Sequence, residues 1–295
     1  MKLIYKIMFF FSVGLTIAAI VLVATFGLRF GADFKGGSVM EIVFNDQRPS
    51  VDELGKVVSA VKGVSDVSVS PAGDKGALLR LNDVDEETHQ NILGAISGKF
   101  GKITENRFDS IGPTVGNDLK SKSIKAIIIS LLAVVVYLAI VFRKLSLVLS
   151  PWALGLSAVA ALVHDVLVPI GLFTLLGHYL NIEITSVFVA AVLTILGYSI
   201  SDSVVVFDRI RENVLRFGAR ENFGEIVHKS IMQTLVRSLN TTFTVLLSLV
   251  AIFFFGGESI KYFALALIVG VFCGAYSSIF IASPILVWWG RGRRT

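Results

Sequence analysis

Residues 184–207 read ITSVFVAAVLTILGYSISDSVVVF, a run from Ile184 to Phe207 whose one formal charge is Asp202. As a helix this run is about 36 Å long, at about 1.5 Å per residue. The hydrocarbon core of a bilayer is about 30 Å thick and needs roughly 20 apolar residues. The run therefore predicts a membrane span. Five more windows predict the same: Ile7–Leu28, Ala126–Phe142, Leu145–Gly177, Thr234–Phe255 and Tyr262–Trp289. The third opens around Pro151 and is interrupted by His164 and Asp165, and the fifth carries Arg237 near its start. The last ends in Trp288 and Trp289, as suits a membrane interface.

Composition agrees. The 295 residues are 54% hydrophobic and 17% charged, with mean hydropathy +0.75, whereas soluble domains run about 45–50% apolar and about 25% charged. A soluble globular protein, a disordered chain and a coiled coil are excluded. The single cysteine, Cys273, rules out an intrachain disulfide and a cysteine-built metal site. The net charge of +5 does not point to nucleic acid. With the N-terminus in the cytoplasm, the inside segments hold Lys2, Lys6, Arg143, Lys144, Arg209, Arg211, Arg216, Arg220, Lys229, Arg291, Arg293 and Arg294, against Arg29 and Lys261 outside. That asymmetry predicts a multi-pass protein with both termini cytoplasmic. The first span is read as an uncleaved anchor, because its apolar run exceeds that of a signal peptide and no small-residue cleavage site follows.

Residues 31–125 differ, holding fourteen of the 22 Asp and Glu. They predict a soluble extracytoplasmic domain between the first span (1–30) and a five-helix bundle (126–295). Ser38–Phe44 alternates as a strand. Ser50 with Glu53 forms a capping box before a helix carrying Leu54, Val57, Val58 and Val61. Val67–Ser70 and Ala77–Leu81 read as strands, Asp83 or Asp85 caps a second helix with Ile92, Leu93 and Ile96, and Lys102–Phe108 closes the order βαββαβ. That is the ferredoxin-like arrangement. His89 is expected on an exposed helix face. No catalytic residue, metal site or cofactor site is read anywhere in the chain, so it is not expected to be an enzyme.

The polar residues inside spans carry the functional reading, since charges there are costly and usually functional. Asp202 and Arg237 are expected at similar depth on neighbouring spans. Thr194, Tyr198, Ser201 and Asp202 are expected to line one side of the fourth span, and Arg237, Asn240, Thr241, Thr244 and Ser248 one side of the fifth. Two facing polar stripes make either a structural ion pair or a proton path in which loading Asp202 releases Arg237. Asp165 beside His164 reads as a second relay group or as a polar tie to a neighbouring helix. Pro169 and Pro284 predict kinks, and Gly270 with Gly274 a close helix contact. The connection 208–233 is amphipathic, with Ile210, Val214, Leu215, Phe223, Ile226 and Val227 on one side and Gly218 between two short helices. It predicts an interfacial pair on the inner leaflet.

Three stretches together resemble the SecD/SecF family of protein-export membrane subunits: Gly31-Ala-Asp-Phe-Lys-Gly-Gly37, Gly197–Asn213, and Arg237-Ser-Leu-Asn-Thr-Thr-Phe-Thr244. Ile111–Gly116 fits as well. The SecF side of the family matches better, since SecD has a larger extracytoplasmic region. The family often has Asn-Asp where this chain has Ser201-Asp202, which leaves the carboxylate intact. The resemblance implies an RND-superfamily half with six spans, paired with SecD across a pseudo-two-fold axis. It implies a bacterial inner-membrane machine, driven by protons or sodium, that helps draw unfolded preproteins from a SecY-type channel. Asp202 and Arg237 would then be the relay carboxylate and arginine. Residues Gly31, Asp33, Phe34, Gly36 and Gly37 read as a turn motif, and no Gly-Lys-Ser/Thr follows to make a phosphate loop. An RND-type transporter half for small molecules or lipids is the alternative. An aspartyl intramembrane protease is disfavoured, because neither Asp165 nor Asp202 sits in a Gly-x-Gly-Asp or Tyr-Asp context.

Overall fold

The structure, a computed structural model, describes residues 2–142, 151–217 and 221–291. The chain forms two compact units, 1–29 with 125–295 and 30–124. The first helix, α1 (Leu3–Phe26), is long and apolar.

In the smaller unit, a one-turn helix α2 (Ala32–Lys35) leads into β1 (Gly37–Phe44), α3 (Val51–Ser59), β2 (Ser68–Ala72), β3 (Gly76–Leu81), α4 (Glu86–Phe100) and β4 (Ile103–Ile111). The sheet order is β2-β3-β1-β4, every pairing antiparallel. β1 alternates because every second residue faces the helices: Met40, Ile42 and Phe44 are buried with Leu54 and Val58 of α3, Leu79 of β3, and Ile92 and Ile96 of α4. Each such side chain contributes roughly 1.5–3 kcal/mol by leaving water. Ser50 caps α3 as expected, its Oγ accepting from the Glu53 amide at 3.3 Å, while the Glu53 carboxylate meets the Ser50 hydroxyl, accepting from it at 2.9 Å, in place of the Ser50 amide of a full capping box. Asp85, not Asp83, caps α4, accepting from the Thr88 amide at 3.0 Å. Asp83 instead accepts from Ser110 Oγ at 2.6 Å.

His89 is not on an exposed face. It is buried, bridges Glu86 (3.2 Å) and Glu105 (2.7 Å) through its two ring nitrogens, and stacks on Phe108. A carboxylate at either end satisfies the ring, and the Phe108 face supplies its apolar contact.

The glycine-rich turn is steric in origin. Gly36 has φ +82°, and a Cβ there would lie 2.7 Å from the Pro113 Cα. A Cβ on Gly37, at φ +140°, would lie 2.7 Å from the Leu81 carbonyl oxygen. Phe34 is buried, and Gly31 caps α2. The motif lets backbone pass backbone where a side chain would not fit.

After β4 follow α5 (Pro113–Val141), which belongs to the larger unit from residue 125 on, and then α6 (Pro151–Leu180), α7 (Ser186–Phe217), α8 (Phe223–Phe255), α9 (Glu258–Ser277), a π-helical turn at Ser278–Ala282, and α10 (Ser283–Arg291). Among the described residues six helices are long and apolar enough to cross a membrane, the last counted across α9, the π turn and α10. The start of the expected third span, 145–150, lies outside the described residues. α6, α7 and α9 form the buried centre, and α1, α5 and α8 expose most of their surface. Close approach relies on small residues. A Cβ on Gly270 would lie 2.2 Å from the Ile195 side chain, and one on Gly171 would lie 2.6 Å from Ala19 Cβ. α6 runs as one helix through Pro169. Pro284 instead follows the π turn, where the Ser283 hydroxyl and amide both reach the Ser278 carbonyl.

Residues 208–217 and 223–233 are not a separate surface pair. They extend α7 and α8, and their apolar faces join the bundle core: Ile210, Val214, Phe223, Ile226 and Val227 are buried together with Val206 and Phe207. The cause is phase. The apolar positions after Asp208 continue the buried face of α7 at helical spacing, so the same face stays inward. Leu215 is exposed. Asn213 pins the two extensions, donating to Ser230 Oγ at 2.8 Å and Gln233 Oε1 at 2.9 Å. At 32 residues, α7 is about 48 Å long and outruns the hydrocarbon core. Gly218 lies outside the described residues.

Two outcomes check this account. Gly36→Ala meets backbone and also pays the positive-φ penalty, whereas Gly73→Ala, at φ +66° with open space around it, pays only the second. Thermal melts of the purified protein should show Gly36→Ala destabilised by about 1–3 kcal/mol more than Gly73→Ala. Separately, the hydrogen bonds from Thr88 hold the Asp85 carboxyl below its usual value of 3.8. Its contribution to folding is present above that value and lost as pH falls through the lower, folded-state value. Hydrogen exchange at the start of α4, corrected for intrinsic rates, should accelerate below about pH 4 in the wild type. Asp85→Asn should remove that pH dependence.

Candidate functional site

Two carboxylates lie inside the bundle. Asp202 of α7 is buried and accepts from Ser238 of α8, and from Ser278 of the π turn at 2.9 Å. Asp165 of α6 is fully buried. Its Oδ2 accepts from Ser199 of α7 at 2.6 Å and from Ser277 of α9 at 2.7 Å. Among the described residues the Asp165 Oδ1 atom has no hydrogen-bond partner, and His164 Nδ1, 3.9 Å away, has none either. The other ring nitrogen of His164 is 2.7 Å from the Tyr276 hydroxyl. Hydroxyl groups from three helices thus hold two acids that an apolar bundle would otherwise exclude.

The expected stripes divide differently. On α7 the buried face carries Ser199, Asp202 and Ser203, while Thr194 and Ser201 are exposed. Tyr198 is half-buried at the boundary and donates to Thr242 of α8 at 3.0 Å. On α8, between Arg237 and Ser248, the buried polar positions are Ser238 and Thr242. Arg237, Asn240, Thr241, Thr244 and Ser248 form an exposed stripe, whose three hydroxyls bond back to their own helix. Arg237 and Asp202 form no ion pair among the described residues. Successive helix residues are turned by about 100°, so Ser238 points inward to Asp202 while Arg237 points out of the bundle. The structure therefore brings Asp202 together with Ser238 and Ser278, and Asp165 with Ser199 and Ser277. Among the described residues no hydrogen bond or ion pair joins the Arg237 stripe to Ser201, and both are exposed.

Sequence reasoning missed Ser199, Ser238, Ser277 and Ser278 as partners of the acids. A signal was available: Ser277-Ser278 is a polar doublet in a span without charge. Among the described residues no group of three or more His, Cys, Asp or Glu could hold a metal ion.

These features define a class: a six-span helical membrane protein with a small α/β unit after its first span and serine-bonded carboxylates in its bundle. The particular family follows from comparison. Residues 93–292 match the family described as protein export membrane protein SecD/SecF, C-terminal, and residues 21–47 match the SecD/SecF GG motif. The chain belongs to the SecD/SecF family. It is 42% identical over 275 residues to the protein translocase subunit SecF of Thermobaculum terrenum, covering 90% of this chain and 85% of that one. It is 37% identical over 287 residues to SecF of Anaerolinea thermophila, covering 96% and 92%. The crystal structure of SecDF, a translocon-associated membrane protein from Thermus, superposes with TM-score 0.85 at 30% identity. The chain spans 98% of its own length and 38% of that SecDF chain. A SecDF described as the super-membrane-facing form gives TM-score 0.69 at 29% identity, with the same coverage.

The hydroxyl clamp makes a contrast. Ser238→Ala removes a cross-helix donor to a buried carboxylate and should cost about 1–3 kcal/mol. Thr241→Ala removes only bonds within α8 on the exposed side and should stay within about 0.5 kcal/mol of wild type. Thermal unfolding in one detergent, with both variants side by side, checks this.

Proposed function

We propose that the chain is an auxiliary subunit of the Sec protein translocase and works joined to a SecD-type half. In this reading an ion gradient is coupled to preprotein export. The observation that carries it is Asp202, a carboxylate inside the bundle held by serine hydroxyls, whose α8 donor Ser238 directly follows Arg237 of the exposed polar stripe that also holds Asn240, Thr241 and Thr244.

A charge facing lipid costs roughly 2.5–3.5 kcal/mol on insertion scales. The stripe therefore calls for a protein neighbour. The matched SecDF chain, of which this chain spans 38%, supports a SecD-type half as that neighbour. The stripe then lines a hydrated path between halves, with Tyr198 and Ser201 on its α7 side. A proton, or a sodium ion, reaches Asp202 along this path. The positive charge of Arg237 attracts the ionised carboxylate at a distance and loses that attraction when Asp202 is loaded. One elementary charge crossing 100 mV brings about 2.3 kcal/mol, comparable with what biases a two-state packing.

The Lys/Arg asymmetry supports cytoplasmic N- and C-termini in a bacterial inner membrane. The inserted domain then lies outside the cytoplasm, where the preprotein leaves a SecY-type channel. The small-molecule or lipid transporter reading finds no support among the named relatives.

The test uses membrane vesicles holding the Sec channel, a SecD-type partner and this chain. Asp202→Asn and Arg237→Ala should each abolish gradient-stimulated preprotein translocation, with normal membrane levels and unchanged gradient-independent translocation. Full stimulation in Asp202→Asn would contradict the reading. Imposing proton and sodium gradients separately identifies the ion.

A further inference from the structure

The relay reading uses Asp202 and leaves Asp165 unassigned. We propose that Asp165 is a second loading site for the same proton flux, coupled to Asp202 through the adjacent serines Ser277 and Ser278 at the mouth of the π turn. The proposal rests on the ion-relay reading of Asp202.

The geometry begins with adjacency. Ser277 bonds Asp165 at 2.7 Å, and its chain neighbour Ser278 bonds Asp202 at 2.9 Å. One backbone step thus carries a donor to each acid. Ser199 adds a second link, since it bonds Asp165 from α7, three residues before Asp202 on the same helix.

Each serine also has a second acceptor on its own helix. Ser277 Oγ lies 3.3 Å from the Gly274 carbonyl, and Ser278 Oγ lies 3.4 Å from the Ala275 carbonyl. A hydroxyl carries one proton and makes one strong donation at a time. Toward an ionised carboxylate that donation is charge-assisted and short. Toward a neutral acid it loses that advantage, and the carbonyl competes. Loading either acid therefore releases its serine from a cross-helix bond to an intrahelical one.

The two serines cannot swap independently. Ser278 opens the π turn, and its carbonyl accepts both the amide and the hydroxyl of Ser283. Wide turns of this kind are frequent at functional sites. A change at one serine is felt at the next residue's backbone, so the charge on one acid biases the bond held by the other.

Asp165 also has room for the ion's proton. Its Oδ1 is buried with no donor on it among the described residues. The titratable groups around Asp165 are His164 on its own helix, Cys273 and Tyr276 from α9, and Asp202 from α7. Around Asp202 they are Arg237 from α8 and Asp165 from α6. Loading forms one O–H bond on the carboxylate and breaks one in the hydronium that supplies it, and unloading reverses both.

The test is infrared pH-difference spectroscopy on the full chain co-purified with its SecD-type partner in lipid. The wild type should show two carboxyl bands that titrate with shared midpoints. Asp165→Asn should remove one band and move the midpoint of the other by about one pH unit. Asp202→Asn should do the converse. Ser277→Ala keeps both acids, and it should displace the Asp202 band although Ser277 does not touch that residue. In vesicles, Asp165→Asn should shift the pH profile of gradient-stimulated translocation. If Asp165→Asn removes no band, or if neither it nor Ser277→Ala moves the Asp202 midpoint, the coupling is refuted. Loss of stimulation in Asp202→Asn alongside such a result would leave the relay reading intact. Retained stimulation in Asp202→Asn would sink the relay reading instead. Should Asp165→Asn fail to accumulate, the Ser277→Ala arm alone decides.

Discussion

A carboxylate buried in an apolar bundle must be answered by donors, and here the donors are serine hydroxyls reaching across helices. Much of the architecture serves that requirement. Gly270 and Gly274 bring α9 against α7, which puts Ser277 and Ser199 on one acid. The π turn after Ser277 sets Ser278 toward the other. Hydroxyls suit this task because they donate to the acid in one state and to a helix carbonyl in another. A guanidinium in direct contact would hold the acid ionised. The structure keeps Arg237 off the carboxylate and on an exposed face.

The same economy explains the rest of the bundle. α6 and α7 supply the acids, α7 and α9 supply two of the four donors, and these are the buried helices, whereas α1, α5 and α8 expose their outer sides. α8 carries a continuous exposed polar stripe from Arg237 to Ser248. The long extensions of α7 and α8 are pinned by Asn213 with Ser230 and Gln233 at one end of the helices that carry Asp202 and Ser238.

Most of the fold was legible in the sequence. Six charge-poor windows fix six spans because the bilayer thickness sets a length. The first strand of the inserted domain declares itself by alternation and its first helix by Ser50, whereas the second helix start lay between Asp83 and Asp85 until the structure set Asp85 on the Thr88 amide. The break between spans and connection was not legible. Ile210 and Val214 continue the period of Val206 and Phe207, so an amphipathic pattern read as surface-lying was a helix extended in register. His89 was misjudged because a lone histidine in a polar helix gives no sign of the Glu105 and Phe108 that a distant strand brings to it. In the site, both acids were found from their cost in a span. Their partners were not, since α8 carries polar residues through a wide arc from Arg237 to Thr244, and periodicity alone does not say whether Arg237 or Ser238 faces inward.

The central claim is that loading the acids changes which bonds the serines make and so repacks α9 against its neighbours. The most direct measurement is the distance between spin labels on two exposed positions, Phe272 of α9 and Leu239 of α8, in the complex with a SecD-type half in lipid at high and low pH. The account predicts two distance populations whose balance shifts with pH in the otherwise native protein and is frozen in Asp202→Asn. A single distance, unchanged between the two pH values while carboxyl loading is observed, would contradict it.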